Sequence, residues 1–138
     1  MLHTTEIKVR GYHLDLYGHV NNARYLEFLE EARWNLLEER GDISWFMQQQ
    51  LALVVSRIDI RYKRPATMGD VIVIETRLDR IEERTGVIVQ RIVRADNGKV
   101  VAEADVTIAV VHPDTQGALM IEGELATRLG ALIVETAE

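Results

Sequence analysis

The sequence predicts an α+β fold in which an antiparallel sheet curls around one long helix. Three observations predict it. A single stretch, at about residues 23–40, carries a helical period; the pattern after it switches to a period of two; and Asp96-Asn97-Gly98 forms a turn that folds two of the later strands into a hairpin. One long helix and one sheet can cover each other's apolar surfaces only if the sheet wraps the helix.

The elements follow in order. Ile7 and Val9 alternate with Lys8 and Arg10, which predicts a first strand over residues 6–12. Residues 11–22 read as a polar, irregular loop. In the helical stretch Tyr25, Leu29, Ala32 and Leu36 recur at i, i+4, i+7 and i+11, and Leu26, Phe28, Arg33 and Leu37 widen that stripe. Arg24, Glu27, Glu30, Glu31, Asn35 and Glu38 fill the opposite side, as expected of solvated charge. Asn21 or Asn22 can cap the start, and Gly41 can end the helix. A short helix or turn is expected over residues 44–50.

In the next strand Val54, Ser56, Ile58, Ile60 and Tyr62 are expected on one face, and Val55, Arg57, Asp59, Arg61 and Lys63 on the other. Pro65 stops it, because proline cannot donate to a sheet ladder. Residues 71–78, 86–94 and 100–111, rich in Val and Ile, predict three more strands. Residues 119–121 are expected to add an edge strand, and residues 124–136 a terminal helix. Half-exposed strands further predict that sheets join across a homodimer, which covers an otherwise open edge.

A chain of 138 residues suits one domain, residues 1–138, with a core large enough to need no staples. The absence of cysteine excludes disulfides, thiolate metal sites and a cysteine nucleophile, and it suits a reducing compartment. No basic segment followed by an apolar run opens the chain, and no stretch approaches the ~18 apolar residues of a membrane span. A cytoplasmic location without a membrane span is therefore expected. The net charge of −6 argues against a nucleic-acid partner, since neutralising phosphates needs a basic field. A small anionic ligand needs only a few local cations and stays compatible.

Chemistry-bearing side chains concentrate ahead of the helix. Tyr12, His13, Tyr17 and His19 flank Asp15, and Gly18 lets the loop bend between Asp15 and the helix start at Asn22. A carboxylate can attack a carbonyl carbon or activate water to do so. The first turn of a helix can stabilise the negative charge that then develops on the carbonyl oxygen, because its N–H groups are free. The competing reading makes Asp15 the hinge of an Asx-turn and leaves the asparagines as caps.

The run Lys8-Val9-Arg10-Gly11-Tyr12-His13-Leu14-Asp15 and its continuation His19-Val20-Asn21-Asn22-Ala23-Arg24-Tyr25 resemble the 4-hydroxybenzoyl-CoA thioesterase branch of the hotdog superfamily. Tyr62-Lys63-Arg64-Pro65-Ala66, Gly69-Asp70 and Glu122-Gly123-Glu124-Leu125 carry the likeness along the rest of the chain. The resemblance implies the hotdog fold and hydrolysis of a medium- to long-chain fatty acyl-CoA, with no metal and no organic cofactor. It implies Asp15 as the catalytic carboxylate and the main-chain N–H of Asn22 as the donor that polarises the thioester carbonyl. Other branches place a tyrosine or histidine where this chain has Asn22, so their side-chain proton transfers do not carry over.

His19 is a candidate for the site, with a loop histidine bonded to backbone as the alternative. Tyr25 resembles a position lining the acyl pocket, with a core aromatic as the alternative. Arg61, Lys63 and Arg64 form a basic strand end that could meet the phosphates of coenzyme A, or else guard a solvated edge. The resemblance also implies a homotetramer built from dimers. A hotdog dehydratase would carry a different histidine motif, which is missing here, and a non-catalytic acyl-CoA-binding protein is the remaining alternative.

Overall fold

The structure, a computed structural model, describes all 138 residues. Strand β1 (His3–Lys8) leads through a 3-10 turn (Gly11–His13) into helix α1 (Asn22–Glu39), followed by the short helix α2 (Ile43–Gln48). Strands β2 (Ala52–Tyr62), β3 (Val71–Ile81), β4 (Thr85–Arg94) and β5 (Val100–Val111) come next, and helix α3 (Gly123–Thr136) closes the chain. All five strands belong to one antiparallel sheet in the order β1-β3-β4-β5-β2. The β4–β5 hairpin turns where expected: Gly98 takes φ +72°, and the Asn97 side chain accepts the N–H of Lys99 at 2.9 Å.

Helix α1 begins as its sequence requires. The Asn21 side chain accepts the N–H of Ala23 at 2.9 Å, which makes Asn21 the cap and leaves Asn22 as the first helical residue. At the other end the N–H of Gly41 reaches back to the Leu36 carbonyl at 3.2 Å. Tyr25, Phe28, Leu29, Ala32 and Leu36 are buried and meet Ile72, Ile74, Ile92, Val101 and Val106 of the sheet in one core. Leu29 is 1% exposed, so truncating it to Ala should cost about 2–5 kcal/mol. The sheet thus wraps the helix in the hotdog arrangement, and α3 packs Leu125, Leu129 and Leu132 into the same core.

Three expectations need correction. Strand β1 is His3–Lys8 rather than 6–12, because residues 11–13 close a 3-10 turn in which the His13 ring accepts the N–H of Arg10. Residues 119–121 form no strand: Leu119 donates to Val110 and Ile121 to Glu83, single bonds to two different places that build no ladder. The faces of β2 also differ from strict alternation. Val55 pairs with Ile108 but Arg57 with Thr107, so Ser56 is an extra, bulged residue. Leu53 and Val55 oppose the inward Val110 and Ile108, and Ile58 and Ile60 oppose the inward Val106 and Ala104; Val54 is turned to the outer face.

Strand β2 occupies one end of the sheet, so its second hydrogen-bonding edge is unpaired within the chain. Val55 and Tyr62 of this strand, and Trp34 of α1, are each about half exposed (44%, 49% and 50%). No helix is long and apolar enough to cross a membrane.

Candidate active site at the start of helix α1

The loop ahead of α1 is folded back on itself. Asp15 and His19 close it through a main-chain bond of 2.7 Å, and Gly18 turns it with φ +78°. The Asp15 Oδ1 accepts the N–H groups of Tyr17 (2.8 Å) and His19 (3.2 Å), so the Asx-turn of the competing reading exists. The Oδ2 accepts no hydrogen bond from the chain. One oxygen orients the carboxylate while the other stays available.

The loop is held from two sides. The N–H of Val20 donates to the Ala66 carbonyl at 2.8 Å, and the N–H of Ala66 donates to the buried Tyr25 hydroxyl at 3.1 Å. Asp70 fixes the far end of the residue 65–70 segment, accepting from Thr67 N–H and from Arg94, both at 2.8 Å. Burial opposes ionisation of Asp70, but the Thr67 amide and the Arg94 guanidinium outweigh it and hold its carboxyl below the usual range. Burial pushes the phenols of Tyr25 and Tyr62 up, so both stay protonated.

Asp15, His19, Asn22, Tyr25, Lys63 and Arg64 all line one cavity of about 410 Å³. The main-chain N–H of Asn22 makes no hydrogen bond within the chain, as befits the first residue of a helix. Lys63 has no ion-pair partner, whereas Arg64 donates to the Val100 carbonyl at 2.8 Å. A carboxylate residue, the first residue of a helix and two basic residues therefore line one open space, a set of groups that suits attack on a carbonyl of an anionic substrate.

Two neighbours stand apart from this cavity. Arg61 turns to Asp59 (3.6 Å) and Glu103 (3.7 Å) on the outer face of the sheet, because it alternates with Tyr62. His13 is buried with its ring edge-on to Phe28, and burial, aided by Arg24 and Arg10 against Glu27, lowers its pKa. Tyr25 lines the cavity, but its hydroxyl is committed to Ala66.

Sequence reasoning missed Tyr62, whose hydroxyl donates to the Asn22 carbonyl at 3.0 Å and ties the end of β2 to the first turn of α1. It also missed a second, apolar cavity beside the C-terminal half of α1, between α1, α2, α3 and β2. Contiguity in the chain reveals neither, although an arginine within an apolar stripe, Arg33, was a signal for the latter.

Comparison with known proteins agrees with this architecture. A family model described as the thioesterase-like superfamily matches residues 9–129. The long-chain acyl-CoA thioesterase FadM of Escherichia coli K12 is 46% identical over 129 residues, covering 94% of this chain and 98% of its own length. The acyl-CoA thioester hydrolase YbgC of Escherichia coli O157:H7 is 32% identical over 100 residues, covering 72% of this chain and 74% of its own. Among solved structures, the probable thioesterase YbaW from Escherichia coli superimposes with a TM-score of 0.89 at 46% identity, over 94% of this chain and 98% of that one. With its helix-wrapping sheet and its loop-borne carboxylate, this chain belongs to the thioesterase-like superfamily.

Proposed function

We propose that this protein is an acyl-CoA thioesterase that hydrolyses fatty acyl-CoA, of medium to long chain, to the free fatty acid and coenzyme A. The observation that carries this reading is that Asp15, whose Oδ2 is unpaired, and Asn22, whose N–H is free, line one cavity. Asp15 either attacks the thioester carbonyl, giving an anhydride that water opens, or deprotonates the attacking water. In both routes the carbon–sulfur bond breaks, a proton ends on the thiol, and the acyl carbon gains one oxygen, taken from water directly or from Asp15, whose carboxylate water then restores. The Asn22 N–H takes the charge that develops on the carbonyl oxygen.

Lys63 and Arg64, at the mouth of the same cavity, meet the phosphates of coenzyme A, and His19 and Tyr25 border the thioester. Neither a metal nor an organic cofactor enters this chemistry. The likeness to FadM supports the choice of a long acyl chain. Residues 1–138 act as one domain in this reading. The open edge of β2 supports a homodimer, and family resemblance extends it to a homotetramer in the cytoplasm.

Incubating the pure protein with acyl-CoAs of graded chain length, while following thiol release, tests the proposal. Turnover that rises toward the longer chains is expected. Binding without thiol release across the whole series would favour a non-catalytic acyl-CoA-binding protein instead.

A further inference from the structure

The apolar cavity shares no lining residue with the Asp15 cavity and measures about 380 Å³. Fifteen of its 17 lining residues are hydrophobic, and the other two are Glu30 and Arg33. Such a cavity has the size of a small-molecule site. Leu36, Phe46, Leu129 and Leu132 form its deep wall, while Arg33 and Glu30 stand at the end nearer the start of α1.

Arg33 is the unusual member. Its side chain is half-buried and has no carboxylate within ion-pairing distance, although a desolvated cation is costly to leave unpaired. Its one protein hydrogen bond is from Nη1 to the Gln90 Oε1, at 3.1 Å. Gln90 is fully buried and placed for that purpose: its Nε2 donates to the Leu29 carbonyl (3.0 Å) and to Thr76 Oγ1 (3.1 Å), which leaves its carbonyl pointing at the guanidinium. A network of β3, β4 and α1 thus fixes one edge of the fork, and the remaining N–H groups have no protein acceptor. Glu30 lines the same cavity but is exposed and makes no ion pair with Arg33.

We infer that this cavity binds a free fatty acid, with its carboxylate on the open edge of the Arg33 guanidinium and its chain against Leu36, Phe46, Leu129 and Leu132. The ligand joins the two properties the cavity joins, one anionic head and an otherwise apolar body. Its carboxyl group is ionised near neutral pH, and guanidinium pairs with carboxylate through two parallel bonds. The site is separate from the proposed chemistry. Arg33 lies eleven residues beyond Asn22 on the same helix, which is about 16 Å along its axis. A head group on Arg33 therefore does not occupy the place of the reacting thioester.

The inference does not require hydrolysis by this chain, and its test uses no turnover. Calorimetric titration of the whole protein with dodecanoic acid and with 1-dodecanol, at submicellar concentration, compares equal tails with and without the charge. The acid is expected to bind about tenfold or more tightly than the alcohol, the range for a charge-assisted hydrogen bond. Arg33→Met should abolish that preference and leave the alcohol's affinity in place. Equal affinities in the wild-type protein, which needs no variant to fold, would overturn the inference, as would a preference that survives Arg33→Met. An acid affinity that changes with Asp15→Asn would also overturn it, by moving the head group into the other cavity.

Discussion

The Oδ1 of Asp15 accepts the main-chain N–H of Tyr17 at 2.8 Å, while its second oxygen takes no bond from the chain. The turn-forming reading of Asp15 therefore holds, and it leaves one oxygen free for the proposed chemistry. The bond to Tyr17 costs the side chain one lone pair and gives it a fixed direction.

Asp15→Asn separates the two roles. The amide oxygen can still accept from Tyr17 and His19, so the loop, the fold and the oligomer should persist, with an unchanged circular dichroism spectrum and elution volume. Activity should fall by about a hundredfold or more, the range for loss of a positioned base. Wild-type rates in this variant would remove Asp15 from the mechanism.

Lys63 and Arg64 are exposed, so each contact to phosphate is worth about 0.2–1 kcal/mol. Replacing both with Ala should raise KM for acyl-CoA by about two- to tenfold and leave kcat nearly constant. The effect should shrink with added salt, as the screening length falls from about 10 Å at 0.1 M to about 3 Å at 1 M. Steady-state kinetics at two ionic strengths check this, and an unchanged KM at low salt would contradict it.

His13 gives the fold an acid sensitivity of its own. Its Nδ1 accepts the Arg10 N–H at 2.9 Å, so the folded ring is neutral, and burial keeps its pKa below the ordinary 6.5. Above pH 6.5 the ring is neutral in both folded and unfolded chains, and this contribution is complete. As the pH falls through 6.5 the unfolded chain takes up the proton first, so stability declines until the folded pKa is reached. His13→Asn, whose Oδ1 can accept the same N–H, should flatten that decline. Urea denaturation at pH 7.5 and 5.5 compares the slopes, and equal slopes would assign the acid sensitivity elsewhere.

The segment from Asp15 to Tyr25 was legible in the sequence because its parts are neighbours in the chain. A turn, a cap and a helix start are local structures, and their residues announce them. Lys63 and Arg64 were legible because Pro65 fixes where their strand must end. The bulge at Ser56 was not, since it exists only relative to β5: Val55 meets Ile108 and Arg57 meets Thr107. By periodicity Arg33 belongs to the apolar stripe; its partner Gln90 lies 57 positions away. The bond from Tyr62 to Asn22 likewise spans 40 positions, and only the closed sheet brings its ends together.

The extra residue at Ser56 makes β2 two short rulers laid end to end rather than one. Leu53 and Val55 are measured against the apolar cavity, and Ile58, Ile60 and Tyr62 against the core and the start of α1. A residue gained or lost on one side of the bulge can be absorbed there, without turning the other half inside out. Variation in chain length at this point can thus reshape the greasy end of the molecule while the loop bearing Asp15 stays in register.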